Sequence, residues 1–155
     1  MKFIPVFVAA ISLMAACTAK NNTEAPATAI SITGTWQLVS GTTIEKGDTS
    51  VTDYTQKLSF IKIINGTHFA FLKHDLNKGK DSATAAFSAG GGSYTLADSS
   101  YTEHLEYCND RQWEGNAFTF TVAIRNDTLI QSGIEKVESA GVNRVNIEKY
   151  VKVKK

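Results

Sequence analysis

His104, Glu106 and Cys108 recur at every second position within Gly90–Cys108, GGGSYTLADSSYTEHLEYC, and zinc accepts ligands of all three types. Residues two apart on a strand stand ~6.6 Å apart along the chain, so three of them cannot close on one ion without a bend. No metal site is expected there, and His68 and His74 could join only by folding. The interleaved set is Tyr101, Glu103, Leu105 and Tyr107, a carboxylate framed by two phenols and an aliphatic side chain. Glu103 and Glu106 are oddly spaced and fall on opposite strand faces, which argues against a shared hydrolytic site. Glu103 could meet Glu148 across a barrel as an acid and base around a sugar. A carboxylate held by Lys152 or by a tyrosine hydroxyl is the plainer account of Glu103. No Ser/His/Asp set stands in distinguishing context, and Cys108 has no activator beyond His104. No catalytic residue and no cofactor are therefore assigned.

Those residues need a strand to set their phase. Period two puts Tyr101, Glu103, Leu105 and Tyr107 on one face and Thr102, His104, Glu106 and Cys108 on the other, after a turn at Asp98–Ser100. Neither face is an apolar row, which suits a barrel wall lining a polar-aromatic cavity. His104 and Glu106 should then meet solvent. Gly90-Gly91-Gly92 lacks the Lys-Ser/Thr and the helix that a phosphate loop needs, so it reads as a bulge or barrel corner. Strands are expected over Gly34–Val39, Tyr54–Ile64, Thr67–His74, Ala83–Ala89, Ala117–Arg125, Thr128–Gly133 and Asn143–Val153. Gly47-Asp48 marks a turn region, and Asn65-Gly66 is the strongest two-residue hairpin signal. Turn residues recur about every ten positions, which is an all-β sandwich or barrel pattern. The balance of 16 Lys+Arg against 15 Asp+Glu leaves no bulk field to attract nucleic acid.

Ahead of the domain, Lys2, the apolar run Phe3–Leu13 and Met14-Ala15-Ala16-Cys17 form a targeting segment over residues 1–16. The run is shorter than the ~18 residues of a membrane span. It resembles a bacterial lipoprotein signal, although Met14 stands where leucine is commoner. The resemblance implies that Cys17 becomes an acylated N-terminus, a stable anchor at ~0.8 kcal/mol per buried methylene. Residues 17–30 are polar, contain Pro26 and show no periodicity, so they read as a tether spanning ~20 Å. Thr18, rather than aspartate, follows the cysteine, and by the same resemblance points to the outer membrane. With Cys17 used by the anchor, Cys108 has no disulfide partner within the chain.

The domain is expected over residues 31–155. Gly34-x-Trp36 on the first strand, with a cation at the end of the last, resembles the lipocalin (calycin) barrel, where tryptophan closes one end under a basic side chain. Lys152 stands where arginine is usual. GGGSYTL, YTEHLEY and Glu148-x-Tyr150-x-Lys152 are similar to an uncharacterised family of lipocalin-like envelope lipoproteins of Bacteroidota type. The resemblance implies an all-β, antiparallel up-and-down barrel of about eight or nine strands, a size that can hold one small ligand. Trp36, Tyr101, Glu103, Leu105, Tyr107, Tyr150 and Lys152 form the expected ligand-binding set. Two functions stay open. One is binding of a small apolar or amphipathic ligand in the envelope, and the other is a filled barrel whose loops, notably Asn109–Asn116, meet another envelope protein or a polysaccharide. Asp81-Ser82-Ala83 and Asp127-Thr128-Leu129 match the O-glycosylation pattern of such envelope proteins.

Overall fold

The computed structural model describes residues 30–154. Nine antiparallel strands follow one another: β1 (Gly34–Glu45), β2 (Asp48–Asp53), β3 (Leu58–Ile64), β4 (His68–Asp75), β5 (Phe87–Ala97), β6 (Ser100–Cys108), β7 (Ala117–Arg125), β8 (Thr128–Val137) and β9 (Val142–Lys152). Each strand from β3 onward pairs with the next, and β9 returns to pair with β1. Eight strands thus close into a barrel compatible with a lipocalin-like fold, with β2 as an extra strand. Closure gives each of the eight a paired neighbour on both sides, which limits free edges, the main liability of an antiparallel sheet. The targeting segment, Cys17 and nearly all of the tether lie outside the described residues.

β1 makes β2 possible by changing partners along one edge. Gly34–Gln37 pair with β3, whereas Ser40–Glu45 pair with β2, and β9 runs along the other edge throughout. β1 therefore extends well beyond Val39, where apolar alternation ends. β2 is exposed at every residue, so it carries no buried row that would mark it as a strand. Between them Lys46 and Gly47 both have positive φ, 53° and 90°, as a two-residue type I′ turn requires.

Asn65-Gly66 is a different case. A hairpin forms there, but neither residue has positive φ. The Asn65 side-chain oxygen instead accepts hydrogen bonds from the backbone N–H of Thr67 (2.8 Å) and His68 (2.7 Å). The Asn side chain closes the loop by mimicking backbone, an alternative to the left-handed turn.

The glycine triplet lies inside β5 rather than ending a strand, and Ala83–Ala86 precede the strand instead of forming it. Register shifts between Gly91 and Gly92, which pair with Tyr107 and Leu105, leaving Glu106 as the extra residue of a β-bulge. A Cβ on Gly92 would collide with the His104 carbonyl oxygen, so close backbone approach at the bulge demands glycine.

The interior divides along β1. Trp36 and Leu38, from its first half, belong to a solid core with Ile32, Ile64, Tyr101, Val122, Leu129 and Tyr150, each about 2% exposed or less. Gly41 and Thr43, from its second half, line an internal cavity. At the solid end the Trp36 indole N–H donates to the Ile32 carbonyl (2.7 Å), and the Lys152 ammonium lies 5.3 Å from the indole centroid. Trp36 and Lys152 are direct cross-strand partners, which places the cation over the ring. Outside, Ile63, Ala70, Gly91 and Tyr107 form one cross-strand row over four strands, with Leu72 and Phe87 exposed on the same face.

Candidate functional site

The cavity measures about 420 Å³. Its buried cation is Lys62, delivered inward by the alternation Phe60, Lys62, Ile64 along β3 and only 3% exposed. The Lys62 ammonium donates to Glu103 Oε1 at 2.6 Å and to Gln131 Oε1 at 3.1 Å, and Glu148 Oε2 lies 3.9 Å away. Glu103 comes from β6, Gln131 from β8 and Glu148 from β9, so the lysine ties four strands together across the interior. The Tyr150 hydroxyl donates to Glu148 Oε2 at 2.7 Å. One ammonium thus serves two carboxylates. Burial opposes its charge, but Glu103 and Glu148 outweigh that and hold the lysine pKa above its ordinary value. Burial raises the Glu103 carboxyl, against the pull of Lys62 and with the help of Glu148. Burial and then the neighbouring carboxylates raise Tyr101 and Tyr150, so both phenols stay protonated. The buried Tyr101 hydroxyl has no hydrogen-bond partner of ordinary geometry among the described residues.

A second polar cluster occupies another part of the wall. Arg144 and Glu135 are cross-strand partners joined at 2.7 Å, and the Asn146 amide donates to the other Glu135 oxygen at 2.9 Å. Arg144 also lies 5.6 Å from the Trp113 centroid, and Trp113 packs against Phe118. Trp113 sits on a short 3-10 turn, Arg111–Trp113, capped by the Asp110 carboxylate accepting from the Gln112 N–H. The loop Asn109–Asn116 therefore contributes to the cavity wall as well as to the surface. On the other side Tyr54 packs edge-on against Phe60 (5.9 Å), and Phe60 stacks on Phe71 (5.8 Å). Aromatic and polar side chains share the wall around a charged floor.

The structure separates the residues expected to share one lining. Glu103 and Leu105 line the cavity, and both are nearly buried. Trp36, Tyr101 and Tyr150 are packed into the solid core beneath it, and Lys152 covers Trp36 from an exposed position. Tyr107 is a correction. It points outward and is 68% exposed, because the bulge at Glu106 inserts one residue and reverses the phase of everything after it. Cys108 is turned inward by the same step and lines the cavity. Its thiol, raised by burial, is held in the protonated form. His104 and Glu106 stay on the exposed face as expected, with Glu106 accepting from the Ser93 N–H (3.0 Å) and hydroxyl (2.6 Å). The bulge thus breaks up His104, Glu106 and Cys108 as a single face.

The counter-charge of Glu103 is also corrected, from Lys152 to Lys62. Lys152, the last residue of β9, lies in the end layer beside Trp36, whereas Lys62 lies in the middle of the barrel wall on β3. Lys62 interrupts the run Leu58–Ile64 on the face shared by Phe60 and Ile64, and that interruption was the available signal. Glu148 does approach Glu103 across the barrel, as its place on the last strand allowed, but with Lys62 between them, hydrogen-bonded to Glu103 and 3.9 Å from Glu148. The arrangement offers recognition: hydrogen-bond acceptors and fixed charges below, apolar rings around. No protein-family model matches the chain, and a search of curated proteins finds no match.

Proposed function

We propose that the protein is a lipid-anchored, lipocalin-like envelope barrel that binds one small amphipathic molecule in its interior. The observation that carries this reading is the cavity of about 420 Å³ beside a densely packed core. Small-molecule sites run from ~300 to ~1,000 Å³, with apolar walls and a few convergent polar groups. Phe60, Phe71, Phe118 and Phe120 supply the walls, while Lys62, Glu103, Gln131 and Glu148 supply the polar floor. A purely apolar ligand would leave that floor without exchange for its lost water, which favours a ligand with a polar head. The Gly34-x-Trp36 and Lys152 contact supports the lipocalin-like assignment. Ala15-Ala16-Cys17 supports acylation at Cys17, and Thr18 in place of an aspartate after it supports an outer-membrane address.

The decisive experiment purifies the protein from its native host and identifies any co-purified small molecule by mass spectrometry. A molecule present in stoichiometric amount is expected, and repeated recovery of an empty protein refutes the reading. For the anchor, Cys17→Ala should release the protein from membranes or leave it unprocessed. A cleaved variant that still fractionates with membranes removes that part. The outward apolar row through Ile63 and Tyr107 favours a second reading, an interaction module facing another envelope protein. In-cell crosslinking from Tyr107 to a single protein, with no ligand recovered, would select it.

A further inference from the structure

Which head group the cavity takes follows from how its charges are already spent. Three cations and four carboxylates line it. Lys62 is held by Glu103, and Arg144 by Glu135, whose second oxygen is filled by Asn146. Lys73 and Asp110, both lining residues without an ion pair among the described residues, offset one another in charge. Glu148 remains. Its Oε2 accepts from Tyr150 and stands 3.9 Å from a lysine that binds Glu103 much more closely. Its Oε1 accepts no hydrogen bond from the described residues, although the side chain is only 14% exposed and faces the cavity. That oxygen is not closed off from the cavity, so a donor or a positive charge on a ligand can take the place of the water it meets.

We infer that the cavity selects a ligand carrying a protonated amine, seated against Glu148 with its apolar part among the aromatic walls. This deepens the small-molecule reading above and rests on it. An ammonium supplies three donors and the one positive charge the lining lacks, and its hydrogen bond to a carboxylate is charge-assisted and short. Tyr54 completes the seat. Its ring packs over Gly41, the cross-strand partner of Glu148, where a Cβ would come within 3.1 Å of the ring. Burial and then Glu148 raise its phenol pKa, which keeps the hydroxyl protonated beside the carboxylate. Phe60 and Phe71, stacked next to Tyr54, offer ring faces to a desolvated cation.

The test is a matched series on the purified full chain by titration calorimetry at pH 7: octylamine, octan-1-ol and octanoate, which share a tail and differ in head charge. Octylamine should bind about tenfold or more tightly than octan-1-ol, the difference between charged and neutral hydrogen bonds, and octanoate should bind most weakly. Glu148→Gln should bring octylamine to within about threefold of octan-1-ol. The series on the unaltered chain decides the matter by itself if that variant does not fold. Octan-1-ol equal to octylamine, or octanoate preferred, overturns the amine inference and leaves small-molecule binding standing. An amine preference that survives Glu148→Gln overturns the assignment to this carboxylate. No binding of any of the three, with nothing co-purified from the host, removes both.

Discussion

Replacing Lys62 by methionine, which keeps most of the apolar stem and deletes the ammonium, isolates the ion cluster that spans the barrel. The lysine is 3% exposed, with Glu103 Oε1 at 2.6 Å and Glu148 Oε2 at 3.9 Å. A unit pair near 4 Å is worth ~4 kcal/mol at an effective dielectric of about 20, and the closer contact more. Desolvation of each ion costs several kcal/mol, so the intact cluster contributes little net stability. Deleting the ammonium is different, because Glu103 stays buried without its counter-charge, and such losses run ~3–5 kcal/mol. Lys62→Met should therefore lower unfolding free energy by about 3–5 kcal/mol in urea titrations. Adding Glu103→Gln should bring stability back to within about 1–2 kcal/mol of the parent, a coupling that a double-mutant cycle reads directly. The single variant also carries a pH signature. Without Lys62, burial raises the Glu103 carboxyl further above its unfolded value. A raised folded-state pKa gives stability that is present below the unfolded pKa and lost as pH rises through the folded one. The Lys62→Met deficit should thus shrink between pH 7 and pH 5. A loss under ~1 kcal/mol, or one unchanged by Glu103→Gln, refutes the cluster as described.

Trp36→Ala should cost ~3–5 kcal/mol in urea unfolding, as large-to-small aromatic changes in cores do, and a surface-sized shift would place the indole outside the core. Leu105→Ala and Tyr107→Ala, two residues apart on one strand, should differ sharply: ~2–5 kcal/mol for the buried leucine and within about ±0.5 for the exposed tyrosine. Equal losses would mean that the bulge does not reverse the phase. Asp75 accepts backbone hydrogen bonds from Gly79 and Ala86, which hold its carboxyl below the usual range. Its contribution is present above the unfolded pKa and lost as pH falls through the folded one. Asp75→Asn should accordingly flatten the acid limb of the stability profile below about pH 4, and an unaltered limb would remove Asp75 from that role.

Much of this barrel is visible in local chemistry. Clean alternation at Phe118, Phe120 and Val122 marks β7 over Ala117–Arg125, with one face buried. Glu138–Ala140 form a short 3-10 turn, ended by Gly141 at φ 66°. Gly34-x-Trp36 and Lys152 meet as the resemblance implies, because their strands are neighbours in the closed sheet. These features depend on period, on turn residues or on one cross-strand pair, all of which a linear chain can display.

Other features depend on strands far apart in the chain. Glu106 is a bulge because Gly92 lies opposite and lets the backbones approach, and that one insertion sends Tyr107 outward and Cys108 inward. β2 forms because β1 exchanges β3 for β2 partway along its edge, which no apolar pattern marks. Lys62, Glu103, Gln131 and Glu148 share an ion cluster across up to 86 positions of sequence, Lys62 to Glu148. The sequence by itself determined the strand periods, most turns and the all-β class, since these follow from side-chain alternation and local backbone preference. Which charge meets which, and how much space remains between them, was decided only when the barrel closed, because its register sets those distances.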